Sequence, residues 1–291
     1  MDNKYFFAID CGGTNLRVAV LDNNLNIVKM EVIKSITDNP TLLYKNIKEL
    51  LISISKEVNN EVHYIGVSIC GVVTNNQVGR CANIGIEKSF DFYSKLKKDF
   101  PFAKIRIAND ANATALAEAS IGTNKDVSNS IFVTISTGIG AGLVLNGKLV
   151  ETPFEYGRTL IQYKGKEDEL EHFISGGGIV SLSKINGLKI KNAQEFFSLV
   201  EKNDKNALKV LSEWINLASM MFANMQLLYN VDRYALSGGV MKSSKFFLKD
   251  LEIKANEKIE KWNLKKIKLV KSKFNQDAGL ISAGVLALSM K

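Results

Sequence analysis

The chain has 291 residues, of which 46% are hydrophobic and 23% are charged, so it exceeds one ordinary core and we expect two domains of a soluble globular protein. No apolar stretch approaches the about 20 residues that span a bilayer, and the start MDNKYFF lacks the pattern of a signal peptide. The net charge is +8, but the basic runs alternate with apolar residues, which favours solvated faces of packed elements over a nucleic-acid site.

The three cysteines, Cys11, Cys70 and Cys81, show no metal-binding or disulfide spacing. This usage suits a reducing compartment, so we predict a cytoplasmic protein. From the apolar stretches and the basic runs described above, we predict neither a membrane nor a nucleic-acid partner.

The first pattern in the chain is a strand, a glycine turn and a second strand. In and just before FAIDCGGTNLRVAVLD (7–22), strands are predicted at 5–10 and 17–21, with Asp10, Gly12, Gly13 and Thr14 at the bend. Glycines let backbone N–H groups approach phosphate oxygens. Thr14 adds a hydroxyl donor, and Asp10 could hold Mg²⁺ or its waters. Taken alone, the glycines could equally make only a tight turn.

Further predicted strands at 27–33, 64–68 and 105–108 enclose a helix at 41–56. Asp110 then stands where the strand IRIA gives way to the helix ANATALAEAS. This position suits a helix N-cap. It suits a catalytic carboxylate equally well, and both roles are compatible.

The strand, turn and strand recur from residue 130, in SIFVTISTGIGAGLVLNGKLV. Thr137 and Gly138 take the places of the first turn's donors, and Asn146-Gly147 predicts a hairpin. A repeated unit of this kind predicts two related α/β lobes, each offering a phosphate-binding hairpin to a shared cleft. Neither turn opens a helix with G-x-G-x-x-G or carries G-K-[ST], which excludes the dinucleotide and Walker A patterns.

A third glycine turn follows a mostly helical stretch. The strand at 234–236 leads into Ser237-Gly238-Gly239 and a predicted helix. This turn would seat an adenine or ribose, or it is a plain strand-to-helix connection. Asp277-Ala278-Gly279-Leu280 then caps a final apolar helix to Met290.

The order of these motifs over nearly the whole chain resembles the ROK family of sugar kinases, within the actin-like ATPase superfamily. The matching segments are D-x-G-G-T-x-x-R at 10–17, G-x-x-x-x-G-x-V at 66–73, NDANA at 109–113, STGIG at 136–140, Glu155-Tyr156-Gly157, Glu169-Leu170-Glu171, Ser237-Gly238-Gly239 and 277–280. The resemblance implies an α/β, two-lobed actin-like ATPase (ribonuclease H-like) fold with a cleft between lobes. We place the N-terminal lobe at 1–110 plus 278–291 and the C-terminal lobe at 111–277.

The resemblance also implies site roles. Asp110 would be the general base that accepts the proton of a sugar hydroxyl attacking ATP. The residues near the sugar would be Gly71, Asn109, Asp110, Glu155, Arg158 and Glu171. The residues holding ATP and Mg²⁺ would be Asp10, Gly12, Gly13, Thr14, Thr137, Gly138, Gly238 and Gly239. The family habit further implies a homodimer.

The chain departs from the family at its zinc motif. Aligned on Glu171, the chain has Gln162, Lys164 and Glu169 at the cysteine positions, and Arg158 at the histidine position. Zinc prefers thiolate and imidazole, so we predict no zinc. We expect ion pairs among Arg158, Lys164, Glu169 and Glu171 to hold this loop in part. Arg158 also brings a positive group to the expected sugar site, which changes the preferred sugar.

The resulting prediction is a kinase that uses Mg·ATP to phosphorylate the 6-hydroxyl of a hexose or N-acetylhexosamine. N-acetylmannosamine is our first choice of sugar and glucose the second. The alternatives are a catalytically silent sugar-binding or sensing protein, a sugar-responsive repressor, for which we expect an additional N-terminal DNA-binding domain, and another actin-like ATPase.

Overall fold

The computed structural model describes residues 5–274 and 278–291. The strands are β1 (Phe6–Cys11), β2 (Asn15–Leu21), β3 (Ile27–Lys34), β4 (Tyr64–Ile69), β5 (Val73–Thr74), β6 (Gln77–Cys81), β7 (Ile86–Phe90), β8 (Lys104–Asn109), β9 (Ser130–Ile135), β10 (Ile139–Leu145), β11 (Lys148–Leu149), β12 (Leu160–Tyr163), β13 (Lys166–Glu169), β14 (Arg233–Ser237) and β15 (Leu269–Lys271). The helices are α1 (Pro40–Glu57), α2 (Phe92–Asp99), α3 (Asp110–Ser120), α4 (Glu171–Ile174), α5 (Gly176–Ile185), α6 (Ala193–Glu201), α7 (Lys205–Tyr229), α8 (Leu248–Ile259) and α9 (Ala278–Leu288). Short 3₁₀ segments are Ala82–Ile84, Tyr156–Arg158 and Gly239–Phe246.

The chain divides into two compact units. Unit 1 takes the described parts of Met1–Ser120, Val150–Pro153 and Phe274–Lys291, and unit 2 takes Ile121–Leu149 and Phe154–Lys273. Our expected boundary lay after residue 110. The observed division puts α3 in unit 1, because α3 packs against α9 and the Ser282 hydroxyl bonds the Thr114 hydroxyl at 3.3 Å.

Unit 1 is built on a five-stranded sheet in the order β3-β2-β1-β4-β8. The first three strands are antiparallel, and β4 and β8 run parallel to β1. Alternation along β1 turns Phe7 and Ile9 to the large core that α1 covers, while Ala8 packs with Leu280 and Ala283 of α9 on the other face. The sheet is therefore covered by helices on both faces.

Unit 2 repeats this arrangement with the order β11-β10-β9-β14-β15. Here β9, β10 and β11 are antiparallel, and β14 and β15 run parallel to β9. The predicted Asn146-Gly147 turn is present, with φ of 52° and 72°. The repeat predicted from the two glycine turns thus extends to whole sheets, and both turns are hairpin ends at corresponding places.

Two small sheets were not predicted. β5, β6 and β7 form a three-stranded sheet after β4, and β12 and β13 form a hairpin in a region that we expected to be helical. After Gly238 the chain first forms a 3₁₀ segment before α8 begins, where a continuous helix was expected. None of the described helices is both long enough and apolar enough to cross a membrane.

Candidate functional site

The first glycine turn connects β1 and β2 in unit 1. Its hairpin is closed by the bond from the Gly12 N–H to the Asn15 carbonyl at 3.1 Å. The Ser35 hydroxyl donates to the Gly12 carbonyl, and Thr14 is exposed at the tip. The Gly13 backbone lies against Asn83, since a Cβ there would stand 2.9 Å from the Asn83 Cβ. A hydrogen bond to the Gly12 carbonyl therefore holds the turn, while Thr14 at its tip is exposed to solvent.

Asp10, the next-to-last residue of β1, lies at the first turn of α9. Its carboxylate oxygens occupy the space that a side chain at Gly279 would fill. Only glycine permits this approach. The N-terminus of a helix favours a negative charge, and the Arg17 Nε stands 3.9 Å from the same carboxylate. Asp277, expected to cap this helix, lies outside the described residues.

Asn109 ends β8 and holds the start of α3. Its side-chain oxygen accepts the N–H of Ala111 at 2.9 Å, and its side-chain amide donates to the Gly71 carbonyl at 3.0 Å. The Asp110 carboxylate also accepts the Ala111 N–H, at 2.8 Å. Unit 1 thus brings Gly71, Asn109 and Asp110 together. Asn109 holds the Gly71 carbonyl and the Ala111 N–H in place, a role that we had not predicted.

The Asp110 side chain is reached by solvent, yet protein atoms surround its carboxyl. This burial raises the pKa of Asp110 above its ordinary 3.8, and the hydrogen bond from Ala111 offsets the effect only in part. A carboxylate with a raised pKa is a stronger proton acceptor than an ordinary surface aspartate. Solvent access and the raised pKa make Asp110 a candidate general base.

The second glycine turn connects β9 and β10 in unit 2. It is closed by the bond from the Ser136 N–H to the Gly138 carbonyl at 2.9 Å, and Thr137 is exposed at its tip, as Thr14 is in unit 1. The first N–H of α5, at Gly176, donates to the Ser136 carbonyl at 2.6 Å. Neither Ser136 nor Ala141 has a positive φ, so the backbone at these two positions does not require glycine.

A cavity of about 480 Å³ lies beside this turn in unit 2. Residues of the N-terminal turns of α5 and α6, whose N–H groups carry partial positive charge, line it together with Lys191 and Lys242. Val180, Ala193 and Phe197 form part of its apolar wall. The cavity therefore offers a positive end for phosphates and an apolar surface for a planar base.

Gly238 and Gly239 have different roles at this cavity. Gly238 has a φ of +100°, and a Cβ there would overlap the Ile135 backbone, so it shapes the strand end. Gly239 lines the cavity, and nothing lies within 4 Å of the place of its Cβ. Of the two, only Gly239 is among the residues that form the wall.

Glu171, at the start of α4, lies against the second turn. It accepts the Ile139 N–H at 3.0 Å, and its carboxylate would stand 2.7 Å from a Cβ at Gly138. Glu155 instead contacts Arg158 on the adjoining 3₁₀ segment, at 3.5 Å. Unit 2 thus brings Glu171 to Gly138 and Ile139, and pairs Glu155 with Arg158.

The loop that lacks the zinc motif is a β-hairpin. Leu160 pairs with Glu169, and the strands are joined by Lys164-Gly165, with φ of 49° and 77°. Two consecutive residues of positive φ are typical of the tight turns that suit hairpins. Backbone hydrogen bonds therefore supply much of the order that a metal would give.

The expected ion pairs are present only in part. Arg158 does pair with Glu169, at 3.1 Å. The Lys164 amine instead donates to the side-chain oxygen of Asn186 at 2.5 Å. Glu171 is held by the Ile139 N–H.

Among the described residues, one group of three side chains could hold a metal ion: Glu169, Glu171 and His172. Its members are already engaged, because Arg158 pairs with Glu169 and the Ile139 N–H donates to Glu171. His172 bonds Asp168 at 2.6 Å.

Sequence reasoning missed the residues Ser175–Gly178. The Ser175 hydroxyl caps α5 by accepting the Gly178 N–H at 3.0 Å, and a Cβ at Gly176 would stand 2.8 Å from the Ser136 carbonyl. Ser-Gly-Gly-Gly before an apolar run is a helix-start signal that could have identified this position.

Comparisons with known proteins agree with this geometry. The family model described as ROK family matches residues 6–290. The chain is 24% identical over 297 residues to an N-acetylmannosamine kinase of Haemophilus influenzae (strain PittGG), covering 95% of this chain and 93% of that protein. It is 25% identical over 283 residues to a glucokinase of Halalkalibacterium halodurans, covering 87% and 85%.

Among solved structures, the ROK hexokinase of Thermus thermophilus superposes with a TM-score of 0.85 at 20% identity, over 99% of both chains. With the repeated sheets, this likeness shows the two-lobed actin-like ATPase fold. The family match covers nearly every described residue. We conclude that the chain belongs to the ROK family.

Proposed function

We propose that the chain is an ATP-dependent sugar kinase that phosphorylates the 6-hydroxyl of a hexose or an N-acetylhexosamine. The observation that carries the proposal is Asp110, a solvent-reached carboxylate of raised pKa at the junction of β8 and α3. The relatives named as kinases support the reaction class. The proposal assigns sugar binding to Gly71, Asn109, Glu155, Arg158 and Glu171.

In the proposed mechanism, the oxygen of the sugar hydroxyl bonds to the terminal phosphorus of ATP. The ionised Asp110 carboxylate accepts the proton that this hydroxyl loses. The bond from that phosphorus to the bridging oxygen breaks, and ADP leaves. Asn109 maintains the geometry of the base by holding the Ala111 N–H and the Gly71 carbonyl. Most of the catalysis then comes from positioning and charge neutralisation.

The unit 2 cavity suits the nucleotide substrate. Lys191, Lys242 and the helix N-termini match the phosphates, and the open space at Gly239 leaves room for the substrate itself. In this proposal, the exposed hydroxyls of Thr14 and Thr137 donate hydrogen bonds to the phosphates of ATP. Asp10 fits Mg²⁺, because hard cations prefer carboxylate oxygens, and Mg²⁺ would neutralise the phosphate charge.

N-acetylmannosamine is the sugar that we propose first, and glucose is the second candidate. The Haemophilus influenzae relative named for N-acetylmannosamine supports the first choice. The exposed Arg158 guanidinium, held between Glu155 and Glu169, is the group that we expect to influence the choice of sugar.

A coupled assay of ADP release over glucose, N-acetylmannosamine, N-acetylglucosamine, fructose and allose tests the proposal. We expect release that depends on one of the hexoses or N-acetylhexosamines. Sugar binding with no ADP release would favour the sugar-sensing alternative. ADP release that no sugar accelerates would favour an ATPase of another kind.

A further inference from the structure

Two of the three cysteines face each other beside the Gly71 loop of unit 1. The sulfur atoms of Cys70 and Cys81 lie 3.4 Å apart, and both residues are free thiols. Cys70 directly follows β4 and is partly exposed, whereas Cys81 ends β6 and is 7% exposed.

The backbone between them sets the two side chains opposite each other. In the β5–β6 hairpin Val73 pairs with Val78, and the Gly79 N–H donates to the Val72 carbonyl at 2.7 Å. Continuing this register outward pairs Cys70 with Cys81. A disulfide needs its sulfurs about 2.0 Å apart, so the two sulfurs, now 3.4 Å apart, must approach by only about 1.4 Å.

The surroundings of Cys81 favour its thiolate. The Cys70 thiol and the backbone N–H groups of Asn83 and Ile84, which begin the following 3₁₀ segment, together lower the pKa of Cys81 below its ordinary 9.0. The thiolate is the form of cysteine that reacts with oxidants. Cys11, in contrast, is buried in the core, which raises its pKa to about 12 and keeps it protonated. These opposite pKa shifts favour oxidation at Cys81 over oxidation at Cys11.

We propose that Cys70 and Cys81 form a reversible disulfide when a peroxide reaches the protein, and that this bond regulates the loop carrying Gly71. The regulatory half of this inference rests on the proposed kinase function. The formation of the bond does not.

The chemistry balances with hydrogen peroxide as the oxidant. The Cys81 thiolate attacks one peroxide oxygen, the O–O bond breaks, and hydroxide leaves, giving a sulfenic acid at Cys81. The Cys70 sulfur then attacks the Cys81 sulfur as its proton and the sulfenic hydroxide leave as water. Two thiols and one peroxide thus become one disulfide and two waters, and a dithiol reverses the change by exchange.

The two cysteines are connected to residues of the site. Gly71 follows Cys70, has a φ of +98°, and is so close to Cys81 that a Cβ would stand 2.9 Å from the Cys81 Cβ. The Gly71 carbonyl accepts the amide N–H of Asn109, the residue that positions Asp110. A disulfide that draws Cys70 toward Cys81 therefore strains this bond, which links the loop to the catalytic strand end.

Cys81 is in turn connected to the first glycine turn. Cys81 precedes the 3₁₀ segment Ala82–Ile84, whose Asn83 side chain packs against Gly13. A shift of about 1 Å in a group that positions reactants can cost about 10²-fold in rate. We expect closure of the disulfide to lower turnover of the sugar by that order, with recovery on reduction.

The test treats the reduced protein with graded hydrogen peroxide and maps its peptides by mass spectrometry, without a reducing step. We expect a peptide linking Cys70 to Cys81 with two hydrogens lost, Cys11 unmodified, and turnover that falls and then recovers with dithiothreitol. Cys70→Ser should abolish the linked peptide and the recovery, whereas Cys11→Ala, the matched control, should keep both. The wild-type peptide map remains decisive if a variant fails to fold.

Absence of the linked peptide at doses that leave Cys11 intact would overturn the inference. A linked peptide with unchanged turnover would overturn its regulatory half. If the reduced protein phosphorylates no sugar, the proposed kinase function fails. The switch would then be judged by the linked peptide and by hydrogen exchange at the Gly71 and Asn83 amides, and unchanged exchange would reject it.

Discussion

Asp110 has features that suit both of the roles that the sequence alone left open. Its carboxylate accepts the Ala111 N–H at the start of α3, as a capping residue does, while burial raises its pKa, as suits a base. Asn109 shares the capping role, because its side-chain oxygen accepts the same N–H. Two side chains therefore accept the same N–H, and we expect α3 to form when Asp110 is replaced.

Replacing the base should separate folding from catalysis. In Asp110→Asn the side-chain oxygen can still accept the Ala111 N–H, but the residue can no longer take a proton. We expect turnover to fall by about 10²–10⁴-fold, measured by the coupled assay. Asp91→Asn, at the N-cap of α2 where Asp91 accepts the Ser94 N–H at 2.8 Å, is the matched control and should keep full turnover. An Asp110→Asn enzyme with most of its turnover would remove Asp110 from the mechanism.

The raised pKa of Asp110 also predicts a dependence of stability on pH. A carboxyl whose pKa is higher in the folded than in the unfolded protein destabilises the fold once it ionises. Asp110→Asn should therefore unfold at a higher temperature than the wild type at pH 7. The difference should disappear below the ordinary pKa of 3.8, where both states are protonated. Melting curves across this range check the sign, and a less stable variant at pH 7 would contradict it.

The same pKa predicts the acid limb of activity. The base works only when it is ionised, so kcat/KM should fall as the pH drops through the folded pKa. That fall should begin above the range of an ordinary aspartate, because burial raises the pKa. A pH profile of kcat/KM measures it, and a flat rate down to pH 3.8 would contradict the assignment.

At the element scale, the unit 2 cavity can be tested by filling it. Gly239 lines the cavity and has open space where a Cβ would stand, so Gly239→Ala, Gly239→Val and Gly239→Phe should fold with near-normal melting temperatures. The dissociation constant of ATP, measured by calorimetry, should rise with each increase in side-chain size. Equal ATP affinity in all three variants would show that the nucleotide binds elsewhere.

The hairpin β12–β13 should depend on its turn. Gly165 has a φ of 77°, a conformation that costs other residues about 1 kcal/mol, so Gly165→Ala should loosen the hairpin. We expect faster hydrogen exchange at the amides of 160–169. Exchange at the β10–β11 turn, which Asn146-Gly147 forms in the same unit, should not change and serves as an internal control. Protection that stays unchanged in the variant would mean that side-chain contacts hold the loop.

The elements that could be predicted from the sequence are those whose periodicity is strong. β1, β2, β4 and β8 alternate or run apolar, and helix α1 was predicted within one residue at each end. β12–β13 was missed because LIQYKGKEDE is largely charged and exposed, so alternation is weak and only Lys164-Gly165 marks the turn. The turn Asn75-Asn76, with φ of 50° and 63°, similarly marks β5–β6.

The residues of the candidate site also differ in how well the sequence predicts them. Residues at strand ends and glycine turns were predictable, because a break in an apolar run identifies them. The contacts of Glu171 with Ile139, and of Asp10 with Gly279, join positions that are far apart in the chain. Such contacts depend on how helices pack on the sheets, and no local pattern encodes them.

At the scale of the whole molecule, the two units share one sheet order, with a glycine hairpin at the same place in each. The two hairpins carry different partners. In unit 1 the neighbouring carboxylate is Asp10, against α9, and in unit 2 it is Glu171, on α4. Equivalent hairpins with different neighbouring carboxylates are what we expect if two units of the same sheet order have different functions.

We propose that the chain transfers a phosphoryl group from ATP to a sugar with Asp110 as the base. The most direct test is to incubate the purified protein with Mg·ATP and N-acetylmannosamine or glucose, and to identify the products by phosphorus NMR and mass spectrometry. We predict ADP and a 6-phosphorylated sugar in equal amounts with the wild type, and about 10²–10⁴-fold slower formation of both with Asp110→Asn. ADP without a sugar phosphate, or equal product from both proteins, would contradict the account.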